Sequence, residues 1–344
     1  MDTSVIRASG LTYVSDSEPG IRREKRGSGF CYRLPDGALL RDELTLQRIR
    51  ALGIPPAYRD VWICLEPNGH IQATGYDARG RKQYRYHPDW QAARSDRKFD
   101  QLVRFGLVLP AIRRKIRRDL EGGVENERAI LAALAMLLDL AYLRVGNMTY
   151  AKANNTYGAT TLLKRHLRIM EDRIELRFVA KGGKKVQRTL KHPKLQAIME
   201  QIADLPGRRL FAWKDTDGVS HSIDSGKLNA YLAGAARFAI SAKTFRTWGG
   251  SLAAFNRARN ILGNGEIPTV KALCMAAAEE LHNTPAICRS SYIHPAILAL
   301  ASPRCMPDVW YGRWTRRKRR QLSGLRADEN ALLAYLKRPI APAG

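Results

Sequence analysis

The sequence has few of the features that mark secreted or membrane-bound proteins. It contains only five cysteines among 344 residues, and their odd number and wide spacing argue against a disulfide framework and favour a reducing compartment. Its longest apolar run, near residues 129–143, is interrupted by Asp139 and falls short of the roughly 20 apolar residues that a membrane span needs. The first residues lack the basic and apolar regions of a signal peptide. We therefore expect a cytoplasmic protein without membrane association.

Motifs for nucleotide and metal chemistry are also missing. The sequence has no Walker loop, no HExxH and no GxGxxG pattern, and its cysteines are not spaced as zinc ligands. We therefore expect chemistry that needs no ATP, no metal and no small-molecule cofactor.

Acidic residues are the scarcer charge. Asp and Glu number 32 against 58 Lys and Arg, which gives a formal net charge of +26. A chain with that excess usually meets a polyanion, with nucleic acid as the leading candidate, although a basic surface without a specific partner is the plainer alternative. A basic run over residues 316–320 would add non-specific affinity for DNA.

The pattern of turns and apolar residues divides the chain near residue 92. Before that point, turn signals at residues 34–37, 66–69 and 77–80 separate short apolar runs, which is typical of a small antiparallel sheet. A helix over residues 42–52 is expected to interrupt this sheet and to end at Gly53.

From about Phe99 the apolar residues recur at helical spacing, after a polar stretch at residues 90–98 that shows no periodicity and in which we place the domain boundary. One β-hairpin with a Gly-Gly turn is predicted over residues 173–190. The sequence thus predicts an α+β fold. Residues 1–92 form a small β-rich domain, and residues 93–344 form a larger, mainly α-helical domain that carries the hairpin.

Four short segments of the second domain hold residues suited to phosphate chemistry. Taken one at a time, an arginine at a helix end, a lysine-rich turn and a tyrosine before Ile-His-Pro are more often structural. Their order is distinctive: an arginine, a lysine 37 residues later, a Lys-x-x-Arg motif, and a polar residue nine positions before a tyrosine. The residues concerned are Arg144, Lys181, Lys243, Arg246, Asn283 and Tyr292.

This order resembles the poxvirus-type branch of the type IB DNA topoisomerases, as found in bacteria. The resemblance implies that residues 1–92 are a DNA-binding domain, that residues 93–344 are the catalytic domain, and that the two close as a clamp around double-stranded DNA. It further implies a monomer that acts on the DNA of the nucleoid. A tyrosine cuts one strand, forms a 3′-phosphotyrosine bond, lets the free end swivel and reseals the strand without ATP or metal. The matching stretches are IPPAY (54–58), VWI (61–63), GYDARGRKQYRYH (75–87), LRVGN (143–147), YGATTL (157–162), FVAKG (178–182), TFRTW (244–248) and RSSYI (289–293).

The resemblance also implies a role for each residue. Tyr292 matches the nucleophile, while Arg144 and Arg246 match the two cations that neutralise charge on the non-bridging oxygens. The departing alkoxide needs a proton, and Lys181 is the candidate donor, with Lys243 as a possible assistant.

Two departures from the family pattern leave alternatives open. Asn283 stands where poxvirus members have a histidine, and an amide donates a hydrogen bond but does not titrate. The adjacent His282 competes for this position, because neighbouring helical residues point about 100° apart and both cannot face one phosphate. The turn after Lys181 is Gly-Gly, which leaves Lys184 and Lys185 as alternative proton donors.

DNA-contacting residues follow from the same resemblance. In the first domain, β alternation places Tyr84 and Tyr86 on one face, where a packed aromatic pair is the structural alternative. Gln can read adenine edges, and Lys can meet guanine or phosphate. The expected contacts are Lys82, Gln83, Tyr84 and Tyr86 in the first domain, and Asn147, Tyr150, Lys152 and Lys243 in the second.

Two rival functions remain at this point. A tyrosine recombinase shares the Arg–Lys–Arg–Tyr chemistry, but it typically shows His-x-x-Arg where this chain has Lys243 and Arg246, and it typically begins with a helical domain. A non-catalytic basic DNA-binding protein would explain the charge but not the spacing of the four segments.

Overall fold

The computed structural model describes Ile6, residues 9–302 and residues 321–337, apart from the side chains of residues 94–97 and 150. The basic run at residues 316–320 lies outside the described residues. The chain divides into two compact units, Met1–Lys98 and Phe99–Gly344.

The first unit is built on a five-stranded antiparallel sheet with the strand order β2-β1-β3-β4-β5. This confirms the antiparallel sheet that the turn signals predict, although β1 begins ahead of the turns that indicated it. The elements are β1 (Ile21–Arg26), β2 (Gly29–Arg33), α1 (Glu43–Ala51), β3 (Arg59–Ile63), β4 (Ile71–Tyr76) and β5 (Lys82–Tyr86).

Helix α1 begins and ends where its sequence signals place it. The Asp42 carboxylate accepts a hydrogen bond from the Thr45 amide at 2.8 Å, and Gly53 takes a positive φ of 56° just after the helix. Ile49 is the buried residue of this helix, and it packs with Val61 and Ile63 of β3 in the core of the unit. The helix therefore covers one face of the sheet.

The second unit is mainly helical, which confirms the α+β class. Its helices are α2 (Pro88–Asp119, which begins within the first unit), α3 (Glu127–Ala141), α4 (Met148–Asn154), α5 (Pro193–Asp204), α6 (Ser225–Ala236), α7 (Ala242–Gly263), α8 (Val270–Leu281), α9 (Pro285–Ser291), α10 (Pro295–Ala299) and α11 (Ala327–Leu336). Its strands are β6 (Leu167–Ile169), β7 (Ile174–Ala180), β8 (Lys184–Leu190), β9 (Ala212–Lys214) and β10 (Ser220–Ser222). None of the helices in the described part of the chain is both long and apolar enough to cross a membrane.

The polar stretch at residues 90–98, which shows no helical period in the sequence, is helical in the structure. Helix α2 starts at Pro88 and runs through these residues without a break. Proline is well suited to the first turn of a helix, and neither glycine nor proline follows until Gly106, so nothing in the sequence stops the helix despite its polar composition.

Helix α3 is the centre of the second unit. The Asn126 side chain caps its start, accepting from the Ala129 amide at 2.9 Å, and nearly all of its residues are buried. Its one acidic interior residue, Asp139, is paired with Arg113 of α2 at 2.7 Å. The helix ends at Tyr142, which adopts a left-handed conformation (φ 51°) and turns the chain toward Arg144.

The predicted hairpin is formed by β7 and β8, with β6 on the outer side of β7. Its loop has three residues, because Ala180 and Lys184 are the last paired positions. Gly182 and Gly183 both take positive φ, at 79° and 74°, a conformation that glycine adopts without strain. Lys181 therefore stands at the tip of the hairpin.

Candidate active site

Arg144 is presented by a short segment that other backbone holds in place. The Arg144 carbonyl accepts a hydrogen bond from the Ala159 amide at 2.8 Å, and Val145 accepts one from Thr160 at the same distance. Gly158 makes this contact possible, because a Cβ at that position would lie only 2.6 Å from the Arg144 oxygen. The Arg144 guanidinium is partly exposed and has no hydrogen-bond or ion-pair partner among the described residues, so its donors are available to an anion.

Arg246 lies on α7 and is held far more tightly. Its side chain is 4% exposed, and its two terminal nitrogens donate to the main-chain carbonyls of Tyr142 and Leu281, the latter at 3.0 Å. Burial lowers its pKa, with a further contribution from the charge of Arg144, but arginine remains cationic at neutral pH. Only part of the Arg246 fork is therefore free for a phosphate.

Tyr292 follows α9 directly and lies against Arg246. The Arg246 Cζ is 5.0 Å from the centre of the Tyr292 ring, within the range of a cation–π contact. The Tyr292 amide bonds the Cys288 carbonyl at 2.9 Å, and the Tyr292 carbonyl accepts from the Ser251 hydroxyl at 3.2 Å. Both ends of the tyrosine backbone are thus fixed.

Cys288 lies beneath Tyr292 and is fully buried. Burial raises the pKa of its thiol to about 11. The thiol therefore stays protonated at neutral pH.

The geometric argument that set His282 against Asn283 is wrong. It assumed a continuous helix, but α8 ends at Leu281 and His282 takes a left-handed conformation (φ 45°). Both side chains therefore line the same open pocket, together with Lys184 and Lys185.

The chemistry still separates the two residues. Asn283 is 9% exposed and its Oδ1 accepts from the Thr284 amide at 3.0 Å, which leaves the amide NH₂ as a donor. Burial lowers the pKa of His282, and the charges of Arg188 and Arg246 lower it further, so this imidazole is neutral at neutral pH.

The lysines of the hairpin differ in where they point. Lys181 is exposed at the tip and has no ion-pair partner among the described residues. Lys184 pairs across the hairpin with the buried Ala180 and lines the pocket beside Asn283. Lys243 is exposed in the first turn of α7, one turn before Arg246. Arg144 and Arg246 thus line one cavity with His282, Asn283 lines the adjoining open pocket with Lys184, and Tyr292 packs against Arg246, while Lys181 and Lys243 are exposed.

Two of the expected DNA contacts in the first unit are engaged within the protein. The Lys82 ammonium lies 2.5 Å from the Asp16 carboxylate, whose hydrogen bond raises the pKa of the lysine. Gln83 donates to Asp77 at 3.0 Å. A DNA contact by either side chain would require it to leave its internal partner.

The two tyrosines of β5 share a face, as the alternation predicts. The rings of Tyr84 and Tyr86 are stacked at 5.8 Å with an interplanar angle of 9°, and Tyr84 is 44% exposed. Arg85 points the other way and donates to the Gly53 carbonyl at 2.9 Å. The pair is packed and yet presents an aromatic surface.

The remaining expected contacts lie on or beside α4. The Asn147 side chain accepts from the Thr149 amide at 2.8 Å and so begins the helix, and Lys152 is exposed on it. Tyr150 lies in the same helix, but its side chain falls outside the described part of the structure.

Two adjacent glycines of α7, Gly249 and Gly250, let Tyr142 and Tyr292 pack closely against this helix. A Cβ on Gly249 would lie 2.5 Å from the Tyr142 ring, and one on Gly250 would lie 2.9 Å from the Tyr292 carbonyl. Adjacent glycines inside a helix cost about 1 kcal/mol each relative to alanine, so their presence in α7 signals a close approach. Two adjacent glycines within a predicted helix were therefore the signal in the sequence that indicated this close packing.

The described residues include no group of three or more His, Cys, Asp or Glu side chains that could hold a metal ion. A tyrosine against one arginine, with a second arginine lining the same cavity as the first, suits an enzyme that transfers a DNA phosphodiester to a tyrosine hydroxyl.

Comparison with known proteins identifies the family. The family model for the bacterial DNA topoisomerase IB N-terminal domain matches residues 29–77, and that for the eukaryotic DNA topoisomerase I catalytic core matches residues 87–287. The chain is 30% identical to the DNA topoisomerase 1B of Acanthamoeba polyphaga mimivirus over 288 residues, which are 80% of this chain and 85% of the viral protein. It is 26% identical to the DNA topoisomerase 1B of Vaccinia virus (strain Copenhagen) over 249 residues, 69% of this chain and 74% of that protein.

The chain therefore belongs to the type IB DNA topoisomerases. It is an isomerase that acts on DNA, relaxing supercoiled duplexes by transient cleavage of one strand through a 3′-phosphotyrosine intermediate.

Proposed function

We propose that Tyr292 is the nucleophile of this reaction. Its hydroxyl loses its proton to solvent as the oxygen attacks the scissile phosphorus. A new P–O bond forms to the 3′ side of the break, and the bond to the 5′ oxygen breaks. The reverse attack by the 5′ hydroxyl restores the strand. The observation that carries this proposal is the contact between Arg246 and the Tyr292 ring, with the backbone of the tyrosine held at both ends.

Charge on the non-bridging oxygens is neutralised by Arg144 and Arg246. Arg144 offers its whole fork, whereas Arg246 offers the donors that the carbonyls of Tyr142 and Leu281 leave over, including a buried Nε without a protein acceptor. Asn283 adds a neutral amide donor from the neighbouring pocket wall. These preorganised donors stabilise the transition state more than the ground state.

The proton for the departing 5′ oxygen comes from Lys181 at the hairpin tip. Its two following glycines allow the tip to move toward DNA, and its ammonium has no competing carboxylate among the described residues. Lys184, which faces the pocket, is the alternative donor, and Lys243 assists from the first turn of α7.

Contacts away from the scissile phosphate hold the double helix. In the first unit these are Lys82, Gln83, Tyr84 and Tyr86, with Asp16 releasing Lys82 when a phosphate or base edge replaces it. In the second unit they are Asn147, Tyr150, Lys152 and Lys243. We further propose that the enzyme acts as a monomer on nucleoid DNA in the cytoplasm, without ATP or metal, and plasmid relaxation in EDTA without ATP tests the last point.

The roles of Lys181 and the arginines are separated by changing the leaving group. A 5′-bridging phosphorothiolate expels a thiolate, which leaves readily without a proton. Lys181→Ala is therefore expected to cleave the sulfur strand at close to the wild-type rate and the all-oxygen strand far more slowly. Arg246→Ala is expected to be slow on both, because charge on the non-bridging oxygens develops whatever leaves.

Lys184→Ala is the matched control and is expected to be near wild type on both strands. If the sulfur strand rescued Lys184→Ala and not Lys181→Ala, the proton donor would be three residues further along the hairpin. If it rescued neither variant, the hairpin tip would only contact a phosphate and would not donate the proton.

A further inference from the structure

Arg188 of β8 reaches away from the hairpin to the ends of two helices. Its Nη2 nitrogen is hydrogen-bonded to the main-chain oxygen of Glu280 in α8, lies 2.8 Å from Oε1 of the same residue, and is 3.4 Å from the carbonyl oxygen of Ala141 in α3. The side chain is only 17% exposed. These contacts span 47 and 92 residues of sequence, and they tie the hairpin strand to both helices.

The same two helix ends are joined a second time by Arg246. Its carbonyl partners are Tyr142 and Leu281, the residues that come next after the two partners of Arg188. The helix ends therefore remain connected to each other without Arg188. Phe178, Ala180 and Val186 of the hairpin already line a small cavity with Tyr142 and Leu281, and Arg188 adds a polar, directional connection between β8 and the helix ends.

The electrostatics favour a cation at this position. The carbonyl ends of α3 and α8 carry the negative ends of their helix dipoles, and the Glu280 carboxylate adds a full charge. A neutral side chain at residue 188 would leave buried carbonyls with fewer donors, which costs more than the hydrogen bonds themselves contribute.

The opposite strand of the hairpin is anchored as well. The Tyr157 amide donates to the Val179 carbonyl of β7 at 2.7 Å, and the adjoining residues 158–160 hold the Arg144 segment. The body of the hairpin is thus fixed along both strands, while the Lys181 loop projects beyond the last anchor.

We propose that Arg188 is a positioning residue for the proton transfer to the leaving group. By fixing β8 to the helix ends that present Arg144 and Asn283, it sets where Lys181 meets the departing 5′ oxygen. This inference rests on the proposed role of Lys181 as the proton donor.

Single-turnover cleavage by Arg188→Gln on the two leaving groups tests it. Misplacement of a catalytic group by about 1 Å can cost on the order of 10²-fold, so we expect the all-oxygen strand to be cleaved roughly 10- to 100-fold more slowly than by wild type. The 5′-phosphorothiolate strand should be cleaved within about threefold of the wild-type rate, because its thiolate needs no proton. A merely structural loss would slow both strands alike.

The double variant Arg188→Gln/Lys181→Ala gives a second reading. If Arg188 acts through Lys181, the double variant is no slower on the all-oxygen strand than Lys181→Ala alone. Arg177→Gln is the matched control, since Arg177 lies on the neighbouring strand, pairs with Glu175 at 2.8 Å and is 53% exposed. Arg177→Gln should cleave both the all-oxygen and the 5′-phosphorothiolate DNA strands at the wild-type rate. If Arg188→Gln does not fold, Arg188→Lys, which keeps the charge but not the fork, takes its place in the same assays.

The outcomes are distinguishable. Sulfur rescue of both Lys181→Ala and the Arg188 variant, with no added loss in the double variant, supports the proposal. Rescue of Lys181→Ala alone, additive losses, or wild-type rates for the Arg188 variant would overturn it and leave the role of Lys181 standing. Failure of sulfur to rescue Lys181→Ala would remove the proton-donor assignment, and the positioning role would fall with it.

Discussion

Arg246 keeps a charge in a nearly dry position, because two main-chain carbonyls accept its hydrogen bonds and the Tyr292 ring lies across it. The charge is in place before any phosphate arrives, so no reorganisation is needed as the transition state forms. Arg144 is the complement: partly exposed, without a protein partner among the described residues, and held only through its backbone.

Tyr292→Phe is expected to abolish covalent attachment to DNA while binding stays within about twofold of wild type. The hydroxyl is the proposed nucleophile, whereas affinity is expected from many phosphate contacts and the phenyl ring can still lie over Arg246. Trapping the adduct with detergent on labelled DNA measures the first quantity, and fluorescence anisotropy measures the second. An adduct that persists in this variant would assign the role to another tyrosine.

Asn283→Ala is expected to slow cleavage about 10²- to 10³-fold without introducing a new pH dependence, because an amide donor is lost and an amide does not titrate. His282→Ala is the neighbouring control. Burial holds the pKa of His282 below its usual 6.5, so its imidazole is neutral across the pH 7–8 range in which the rates are compared. A larger loss in His282→Ala, with a pKa removed from the pH–rate profile, would reverse this assignment.

At the scale of helices and strands, segments with a clear period or a turn signal were predictable, and segments with neither were not. Helices α3 and α7 follow from apolar spacing over four turns or more, and the hairpin follows from alternation around two glycines. The seven-residue α9, which delivers Tyr292, is too short to show a period. The end of α8 at Leu281 has no glycine to announce it, since His282 itself takes the left-handed conformation.

The candidate site was also only partly predictable from the sequence. The order of Arg144, Arg246 and Tyr292 along the chain was enough to indicate the chemistry. The contacts of Arg188 and the close approach at Gly158 were not predictable, because each depends on backbone atoms brought close only by the tertiary fold.

Gly158→Ala tests whether the backbone contact behind Arg144 matters. A Cβ there would lie 2.5 Å from the Gly146 nitrogen and 2.6 Å from the Arg144 oxygen, and backbone atoms cannot yield cheaply. We expect a loss of about 1–3 kcal/mol in unfolding free energy and a fall in cleavage rate on the order of 10²-fold. Urea unfolding and single-turnover cleavage measure the two effects. Gly122→Ala, where the added methyl meets open space, is the matched control and should change neither; equal behaviour of the two variants would contradict the argument.

Over the part of the molecule that the structure describes, several buried carboxylates are paired within the protein, while several lysines are exposed and unpaired. Glu329 is fully buried and accepts from Arg113 and Arg326, so the last described helix is tied by charge to the helices before it. Lys152, Lys181 and Lys243 are exposed, and none has an ion-pair partner within the described part of the chain. With a net charge of +26, the surface has cations to offer a polyanion.

Binding to DNA should consequently depend steeply on salt. Each phosphate that a lysine or arginine neutralises releases condensed counterions, so an interface with roughly 6–10 such contacts is expected to lose about 10³- to 10⁵-fold in affinity between 50 and 200 mM salt. Anisotropy titrations of a short duplex with the cleavage-deficient Tyr292→Phe variant isolate binding from chemistry. The slope of log affinity against log salt counts the phosphate contacts, and Lys152→Ala should lower its magnitude by close to one contact.

The ion pair between Lys82 and Asp16 predicts a different result for Lys82→Ala, a smaller change in slope, because forming that DNA contact first breaks an internal one. A flat salt response would rule out a phosphate-dominated interface, and equal slope changes for the two variants would show that Asp16 does not compete with DNA for Lys82.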